Sequence, residues 1–499
     1  MKEKERFMLS IDQSTQGTKA ILLNSAGEVV GRRDVQHQQI IDAKGWVEHD
    51  LDEIWKNTKE AVREVLRATA IRSEQVVGLG ISNQRETVAA WNRKTGEPIC
   101  HAVVWQCPRG MEICEKVGAR GFRAMIKEHT GLDLSPYFSA SKLAWIYQNV
   151  PEARTLSEQD LLCFGTIDAW LIFKMTGGKS FKTDYSNACR TQLFNIHTLS
   201  WDEEVCGIFG IPMSSLPQVM DSDALFGATD LEGIFENPIP IMAVMGDSHS
   251  ALFGQGCHRM GMAKATYGTG SSIMMHTGDR PVTDSQGLAV SLAWSRGGKA
   301  QYVLEGNINY TGAVITWMQK QLHLIADPAE AEALAREANA EDTTYMVPAF
   351  TGLGAPYWNS QATALITGMT RLTGRAELVK AGLTSIAYQI RDVVAAMDRA
   401  VKPLGGEGIS AIRADGGPTR NPYLMQFQAD ILGFPVEVPQ SEELSGIGAA
   451  YMAGIGLGFY EERCLFEEKN RIKYIPQMAS EERERRLSGW KKAIERTVL

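Results

Sequence analysis

The sequence offers little that would indicate a thiolate metal centre, a membrane protein or a nucleic-acid binder. Its eight cysteines are scattered without a CxxC pair, so we expect neither a zinc site nor a redox dithiol, and a reducing cytoplasmic location. No apolar run approaches the roughly 20 residues that a membrane-spanning helix needs, and the charged N-terminus is unlike a signal peptide. Lysine and arginine number 51 against 59 aspartate and glutamate residues, and this acidic balance argues against a nucleic-acid partner.

Two common nucleotide-binding motifs are also absent. The chain has no GxxxxGK[ST] segment and no GxGxxG segment after a predicted strand. A nucleotide site in this protein must therefore be built differently from a P-loop or a Rossmann crevice.

The composition is that of an ordinary globular protein. Of 499 residues, 44% are hydrophobic and 22% are charged. A chain of this length exceeds what one hydrophobic core normally organises, so two large domains are expected.

The segment 246–272 carries the clearest indication of chemistry. Asp247 follows the apolar run 238–246, which places its carboxyl group just past the end of a buried strand, and the turn ATYGTGSS follows at 265–272. Backbone N–H groups in such a turn can bind an anion. A carboxylate beside a phosphate-binding turn favours phosphoryl transfer. The alternative is an N-capping aspartate and an ordinary glycine hairpin.

The two halves of the chain share a pattern. Each begins with a strand, a hydroxyl-rich turn, further strands and a helix, and the first turn is DQSTQGT at 12–18. Such internal similarity predicts two related α/β domains, each presenting a hairpin to a cleft between them. Turns favour these residues for their own sake, so an ordinary hairpin remains the alternative.

Further polar side chains follow other predicted strands. Arg85 and Glu86 come after the apolar run 75–81, and Trp105 ends the run 103–105. In open α/β sheets, ligands bind beyond the carboxyl ends of the strands. A surface ion pair and a core tryptophan are the structural alternatives. In the last third, the strand 409–413 leads into Asp-Gly-Gly at 415–417 and a helix from 422 to 432, where a flat ligand could approach the backbone closely.

Taken together, these motifs resemble the FGGY carbohydrate kinases and, within them, the glycerol kinases. The matching segments include DQST at 12–15, NQRET at 83–87, TYGTG at 266–270, PAFTGLGAPYW at 348–358 and DGG at 415–417. The resemblance implies a two-domain actin/Hsp70-like (ribonuclease H-like) α/β ATPase fold. The nucleotide and the substrate would then bind in a cleft between domains 1–253 and 254–499.

The resemblance also implies roles for individual residues. Asp247 would be the general base, and Asp12 and Asp247 would hold Mg²⁺. The residues implied to bind ATP are Ser14, Thr15, Gln16, Gly17, Lys19, Thr269, Gly270, Gly312, Thr316, Gly417 and Asn421. The residues implied to bind the substrate are Arg85, Glu86, Trp105, Tyr137, Asp247, Ser248 and Ser272.

Several positions depart from the glycerol kinase pattern. Ser248 stands where those enzymes have Gln, Ser272 where they have Phe, Lys19 where they usually have Arg and Thr316 where they have Gln. Two smaller, hydroxylated pocket residues predict a roomier and more polar substrate pocket. His249 is either a substrate contact or a packed histidine bonded to backbone.

The expected activity is therefore ATP-dependent phosphorylation of a primary hydroxyl of a small polyol or ketose, with four or five carbons. The alternatives are a glycerol kinase that tolerates the substitutions and a non-catalytic actin-like ATP-binding module. We also expect a homo-oligomer. Because residues 226–240 contain no Arg, Lys or His, we expect no control by fructose bisphosphate or by histidine phosphorylation.

Overall fold

Two large mixed β-sheets, one in each half of the chain, form the frame of the protein. The computed structural model describes residues 5–406, 408–466 and 471–497. In the N-terminal half the strands are β1 (Phe7–Gln13), β2 (Gly17–Leu23), β3 (Val29–Gln36), β4 (Ile40–Ile41), β5 (Val47–His49), β6 (Val76–Asn83), β7 (Val88–Asn92), β8 (Ala102–Val103), β9 (Leu162–Thr166), β10 (Lys182–Asp184), β11 (Phe194–Asn195), β12 (Ser200–Trp201), β13 (Gln218–Met220), β14 (Gly227–Thr229) and β15 (Ile239–Gly246). Its helices are α1 (Leu51–Thr69), α2 (Met111–Ala119), α3 (Arg123–Thr130), α4 (Ser139–Asn149), α5 (Pro151–Glu158), α6 (Ile167–Met175), α7 (Tyr185–Ala188), α8 (Glu203–Phe209) and α9 (Asp247–Gly254).

The C-terminal half is built from longer helices around the second sheet. Its strands are β16 (Ala263–Tyr267), β17 (Ser271–Gly278), β18 (Ala289–Arg296), β19 (Lys299–Ile308), β20 (Tyr345–Val347), β21 (Leu365–Thr367), β22 (Ile412–Asp415), β23 (Val436–Pro439) and β24 (Arg471–Tyr474). Its helices are α10 (Gly312–Lys320), α11 (Glu330–Glu337), α12 (Arg375–Val401), α13 (Pro422–Leu432), α14 (Leu444–Gly456), α15 (Glu462–Leu465) and α16 (Ser480–Thr497). None of the helices in the described ranges is long and apolar enough to cross a membrane.

The two large sheets repeat one arrangement. The first has the order β14-β15-β6-β1-β2-β3 and the second β18-β19-β17-β16-β22-β23-β24. In each, a first strand pairs antiparallel with the next and parallel with a later one: β1 with β2 and β6, and β16 with β17 and β22. This confirms the α/β class and the repeat expected from the sequence. The division at 253/254 stays a prediction.

The parallel strands of the first sheet bring distant polar residues to one edge. Asp12 lies opposite Ser82, and Asn83 lies opposite both Gln13 and Gly246. Because β1, β6 and β15 run in the same direction, Asp12 near the end of β1, Arg85 just after β6 and Asp247 just after β15 lie at neighbouring carboxyl ends. The site predicted from three separate segments is thereby assembled by sheet topology.

Helix α14 of the C-terminal half packs closely against the first sheet and α9, because glycines remove side chains from the contact. A Cβ atom at Gly448 would lie 1.9 Å from the carbonyl oxygen of Ser250, and one at Gly80 would lie 2.3 Å from that of Ala449. Met8, Met245 and Phe253 also share an apolar cluster with Trp294 and Tyr451 from the other half. The position of α9, which begins at Asp247, is therefore fixed by both halves.

Candidate active site

A cavity of about 610 Å³ opens between the two halves, at the carboxyl ends of the parallel strands. It is lined by predicted site residues from both halves together with polar residues that the sequence analysis did not single out. The lining residues are Ser14, Thr15, Gln16, Gln39, Gln84, Arg85, Glu86, Trp105, Gln106, Tyr137, Asp247, Thr266, Gly268, Thr269, Gly270, Ser271, Ser272, Asn307, Ile308 and Asn309. Both glycine-containing hairpins therefore face the same space as the polar wall around Asp247.

Asp247 presents an accessible carboxylate to this cavity. It follows β15 directly, as the sequence predicted, and it is the first residue of α9. Its Oδ1 accepts the backbone N–H of Ser248 at 2.6 Å and Nε of Arg85 at 3.1 Å. The Asp247 side chain is 36% exposed, whereas that of Arg85 is 6% exposed. Because no residue in the described ranges donates a hydrogen bond to Oδ2, this second oxygen is available to a ligand.

Glu86 is held in a backbone conformation that non-glycine residues rarely adopt. Its φ is +60°, in the left-handed region, and such conformations persist where the surroundings over-determine them. Oε1 of Glu86 accepts from Nε of Arg190 at 2.6 Å, and its carbonyl accepts from Oγ of Ser139 at 3.0 Å. Burial raises the pKa of Glu86, and Arg190 and Arg85 oppose this effect. Its second carboxylate oxygen is directed to no protein donor in the described ranges.

Trp105 and Tyr137 form an aromatic wall beside Glu86. Their ring centroids lie 5.4 Å apart in an edge-to-face arrangement, and Nε1 of Trp105 donates to Oγ1 of Thr15 at 3.0 Å. The sequence analysis missed Lys142, a fully buried residue whose ammonium donates to the carbonyls of Pro136, Tyr137 and Phe138 at 2.8, 2.6 and 2.8 Å. The turn that carries Tyr137 is thereby fixed from beneath.

The guanidinium of Arg85, a residue that the resemblance implies binds the substrate, is mostly engaged by protein groups. Nη1 and Nη2 donate to Glu305 at 3.0 and 2.9 Å, and Nη2 also donates to Oγ of Ser248 at 3.2 Å. Arg190 contacts the same Glu305 through Nη1 at 2.9 Å. Sequence reasoning missed both partners, although a glutamate inside the apolar strand β19 was a signal.

Ser248 and Ser272, which stand where glycerol kinases have Gln and Phe, differ in their position relative to the cavity. Ser272 lies on the cavity wall, and its hydroxyl donates to Oε1 of Glu305 at 2.9 Å. Ser248 instead contacts the cavity residue Arg85. His249 is fully buried, with no hydrogen-bond partner for either ring nitrogen among the described residues. Burial, together with the nearby Arg85, lowers its pKa well below the usual value, so it is neutral.

Asp12 lies deeper than the cavity lining, close to a cation. It is 5% exposed, its Oδ1 accepts from Oγ of Ser82 at 2.9 Å, and its Oδ2 lies 3.9 Å from Nζ of Lys19. Burial raises the pKa of Asp12 to about 6, against the opposing effect of Lys19. Lys19 donates at 3.0 Å to Glu443 and is not part of the cavity lining. Gly17, also outside that lining, accepts the N–H of Ser14 at 2.8 Å and so closes the first hairpin.

A second cavity, of about 500 Å³, lies in the C-terminal half beside the second hairpin. Gly312, Thr316, Gly417 and Asn421 line it, together with apolar residues such as Ile315. The backbone N–H groups of Thr311 and Gly312 donate to the carbonyls of Thr269 and Gly268 at 2.9 Å each, so the hairpin and the start of α10 are joined. Oδ1 of Asn421 caps α13 by accepting the N–H of Leu424 at 3.0 Å. Four of the residues implied to bind ATP therefore line one cavity.

Family models and individual proteins match this chain over nearly its whole length. The N-terminal domain model of the FGGY family of carbohydrate kinases matches residues 7–254, and the C-terminal domain model matches 263–457. The glycerol kinase of Symbiobacterium thermophilum is 46% identical over 492 residues, 98% of each chain. Glycerol kinase 1 of Thermotoga maritima is 47% identical over 494 residues, 99% of each chain.

Solved structures show the same fold. A Plasmodium falciparum glycerol kinase with ADP is similar with a TM-score of 0.92 and 35% identity, covering 99% of each chain. A xylulose kinase from Lactobacillus acidophilus, at 20% identity, has a TM-score of 0.85 over 99% of this chain and 97% of its own, which supports the fold alone. The two-domain actin-like fold expected from the sequence is confirmed. With both family models matched and the site assembled between the two halves, this chain belongs to the FGGY family of carbohydrate kinases.

Proposed function

We propose that this protein transfers the γ-phosphoryl group of ATP to a primary hydroxyl of a small polyol. The observation that carries the proposal is the accessible carboxylate of Asp247 in one cavity with Glu86, Trp105 and the two glycine-containing hairpins. Phosphoryl transfer needs little beyond a positioned hydroxyl, a base and stabilisation of phosphate charge. The sequence similarity to glycerol kinases supports a polyol as the substrate that accepts the phosphoryl group.

Asp247 is the proposed general base. Its second carboxylate oxygen takes the proton as the substrate oxygen forms its bond to the γ-phosphorus and the bond to the β-phosphate oxygen breaks. Arg85 holds the first oxygen at 3.1 Å and thereby orients the carboxylate. The free oxygen of Glu86 accepts from a second substrate hydroxyl, while Trp105 and Tyr137 cover the carbon chain.

The two hairpins and the second cavity are proposed to hold the nucleotide. Ser14, Thr15, Gln16, Thr269 and Gly270 line the shared cavity and are placed to contact the phosphates. Gly312, Thr316, Gly417 and Asn421 line the adjoining space for the base and ribose. Gly17 and Lys19 lie outside the cavity lining. Gly17 would shape the turn of the first hairpin, and Lys19 would add positive charge near it.

The donor set fits Mg²⁺ bound together with a nucleotide. No group of three or more His, Cys, Asp or Glu side chains in the described part of the chain is arranged to hold a metal alone. Mg²⁺ commonly takes one or two carboxylates, several waters and substrate phosphates, which suits Asp12 and Asp247. When bound, the ion would neutralise charge on the β- and γ-phosphates.

We further propose that the preferred acceptor has four or five carbons and is a polyol or ketose. Ser272 supplies no bulk to the cavity wall, and Asn307 and Asn309 add polar groups there. A larger, hydroxylated substrate could use this space and these groups. Glycerol is the second candidate, favoured by the curated relatives at 46% and 47% identity. A non-catalytic ATP-binding module is disfavoured because it would not need Glu86, Trp105 and Tyr137 around the accessible carboxylate of Asp247.

Steady-state kinetics on glycerol, erythritol, pentitols and the matching ketoses would test both levels of the proposal. Asp247→Asn should retain ATP binding and lose turnover, since an amide cannot take the proton. An Asp247→Asn variant as active as the parent would refute the mechanism. A large preference of the parent for glycerol would refute only the larger substrate.

Two other expectations keep the status of predictions. All eight cysteines are free thiols, which supports a reducing location such as the cytoplasm. A homo-oligomer is still expected, and sedimentation analysis would test it.

A further inference from the structure

Five charged side chains of alternating sign run through the site. The order is Asp247, Arg85, Glu305, Arg190 and Glu86, with successive nitrogen-to-oxygen distances of 3.1, 2.9, 2.9 and 2.6 Å. All but Asp247 are at least 94% buried. This series of ion pairs therefore connects Asp247, the proposed base, to Glu86, the proposed hydrogen-bond acceptor for a substrate hydroxyl, through side chains that are almost inaccessible to water.

Glu305 is the shared counter-ion of the two guanidinium groups. Its Oε1 accepts from Nη2 of Arg85 and from Oγ of Ser272, and its Oε2 contacts Nη1 of both arginines. Although burial opposes it, the two cations hold the pKa of Glu305 well below its usual range. Without this carboxylate, two buried positive charges would repel each other across the pocket.

Glu305 also comes from a different part of the chain than its partners. It lies on β19 in the C-terminal half, whereas the other four residues belong to the N-terminal half. Each arginine holds one functional carboxylate, Arg85 that of Asp247 and Arg190 that of Glu86. The separation of the two carboxylates is therefore set by a residue of the opposite half.

We propose that Glu305 is a positioning residue that fixes the distance between Asp247 and Glu86 and so the place of the reacting hydroxyl. The inference rests on the proposed polyol kinase function. Glu305 touches no reacting atom; it acts through Arg85 and Arg190. A misplacement of about 1 Å between reacting groups can lower a rate roughly 100-fold.

The test is Glu305→Gln, which keeps the shape of the side chain and removes its charge. We expect kcat/KM for the best substrate of the panel to fall by roughly 100-fold, with kcat and KM both affected. Binding of ADP, measured by calorimetry, should stay within about twofold of the parent, because the partners of Glu305 are Arg85, Arg190 and Ser272 and none of these is proposed to hold the nucleotide. Glu305→Asp should rescue little activity, since its shorter side chain cannot span both guanidiniums.

Ser291→Ala is the matched control. Ser291 accepts from Nη1 of Arg190 at 2.9 Å and is buried, so the variant removes a neutral partner of the same guanidinium. It should change kcat/KM by only a few fold. If Glu305→Gln does not fold, Ser272→Ala, which removes one hydrogen bond to Glu305, should show a smaller loss of the same kind.

Two outcomes would overturn the inference: parental kcat/KM in Glu305→Gln, or ADP binding and substrate turnover falling together with the melting temperature, which would indicate a purely structural role. If instead the parent phosphorylates no polyol or ketose, the proposed function itself fails.

Discussion

Ser272→Phe is the perturbation that most directly probes the size of the substrate pocket. Ser272 lies on β17, on the wall of the 610 Å³ cavity, opposite Asn307 in the strand ladder. A phenyl ring at this position would restore the wall that the resemblance to glycerol kinases implies. It would fill space that the additional carbons of a longer substrate are proposed to occupy.

The size of the effect follows from the space available and from one hydrogen bond. Excluding one carbon unit from an apolar or mixed pocket is worth about 1–3 kcal/mol, or roughly 10- to 200-fold in kcat/KM. Relative to the parent, Ser272→Phe should therefore lower the ratio of pentitol kcat/KM to glycerol kcat/KM by a factor of roughly 10 to 200. The variant also loses the 2.9 Å hydrogen bond to Glu305, worth about 1 kcal/mol. That loss affects both substrates alike and cancels in the ratio.

A coupled assay of ADP release, with each substrate varied at saturating ATP and Mg²⁺, gives the ratio directly. Ser272→Ala is the matched control, because it removes the hydroxyl without adding the ring. It should lower both values of kcat/KM and leave their ratio within about threefold.

An unchanged ratio in Ser272→Phe would refute the argument, since the ring would then occupy no space used by the substrate. A parent that already prefers glycerol strongly would refute it before any variant is made.

The remaining predictions concern stability and the metal. Burial, together with the nearby Asp184, raises the pKa of Asp168 from 3.8 to about 7. Between these two pH values the folded state keeps a proton on Asp168 that the unfolded state has released. The free energy of unfolding should fall as pH rises from 4 to 7, by at most about 4 kcal/mol, and urea titrations of Asp168→Asn should lose this slope. Gly448→Ala should lower the melting temperature, at a cost of about 1–3 kcal/mol, because its Cβ would lie 1.9 Å from the carbonyl oxygen of Ser250. Gly207→Ala should not, because a Cβ there would meet no atom of the described residues within 4 Å beyond its chain neighbours and its own helix backbone. EDTA should abolish turnover and Mg²⁺ restore it; full activity in EDTA would contradict a metal role for Asp12.

Much of the architecture could be predicted from local patterns. The apolar run before Asp247 and the Gly/Thr/Ser turn after it were sufficient to predict β15, the position of Asp247 just past its end and the second hairpin, whereas α9 was not predicted. The repeat of strand, turn and strand in both halves predicted two related sheets. These predictions succeeded because apolar strand patterns and turn residues are properties of short segments.

The polar partners within the site could not be predicted in the same way. Arg85 was expected to bind the substrate, but both terminal nitrogens of its guanidinium donate to Glu305, 220 residues away. Arg190, which bonds Glu86 across 104 residues, was not singled out at all. Neither pairing leaves a periodic trace in the sequence.

The sequence by itself determined the two α/β halves, the two hairpins and the carboxylate at the end of β15. The tertiary structure alone decided which charges are neutralised by which partners, and hence that Asp247 retains an open oxygen while Arg85 is occupied. The physical reason is desolvation: buried charges must find counter-ions wherever packing brings them, and the packing of β19 against the N-terminal half is a property of the whole fold.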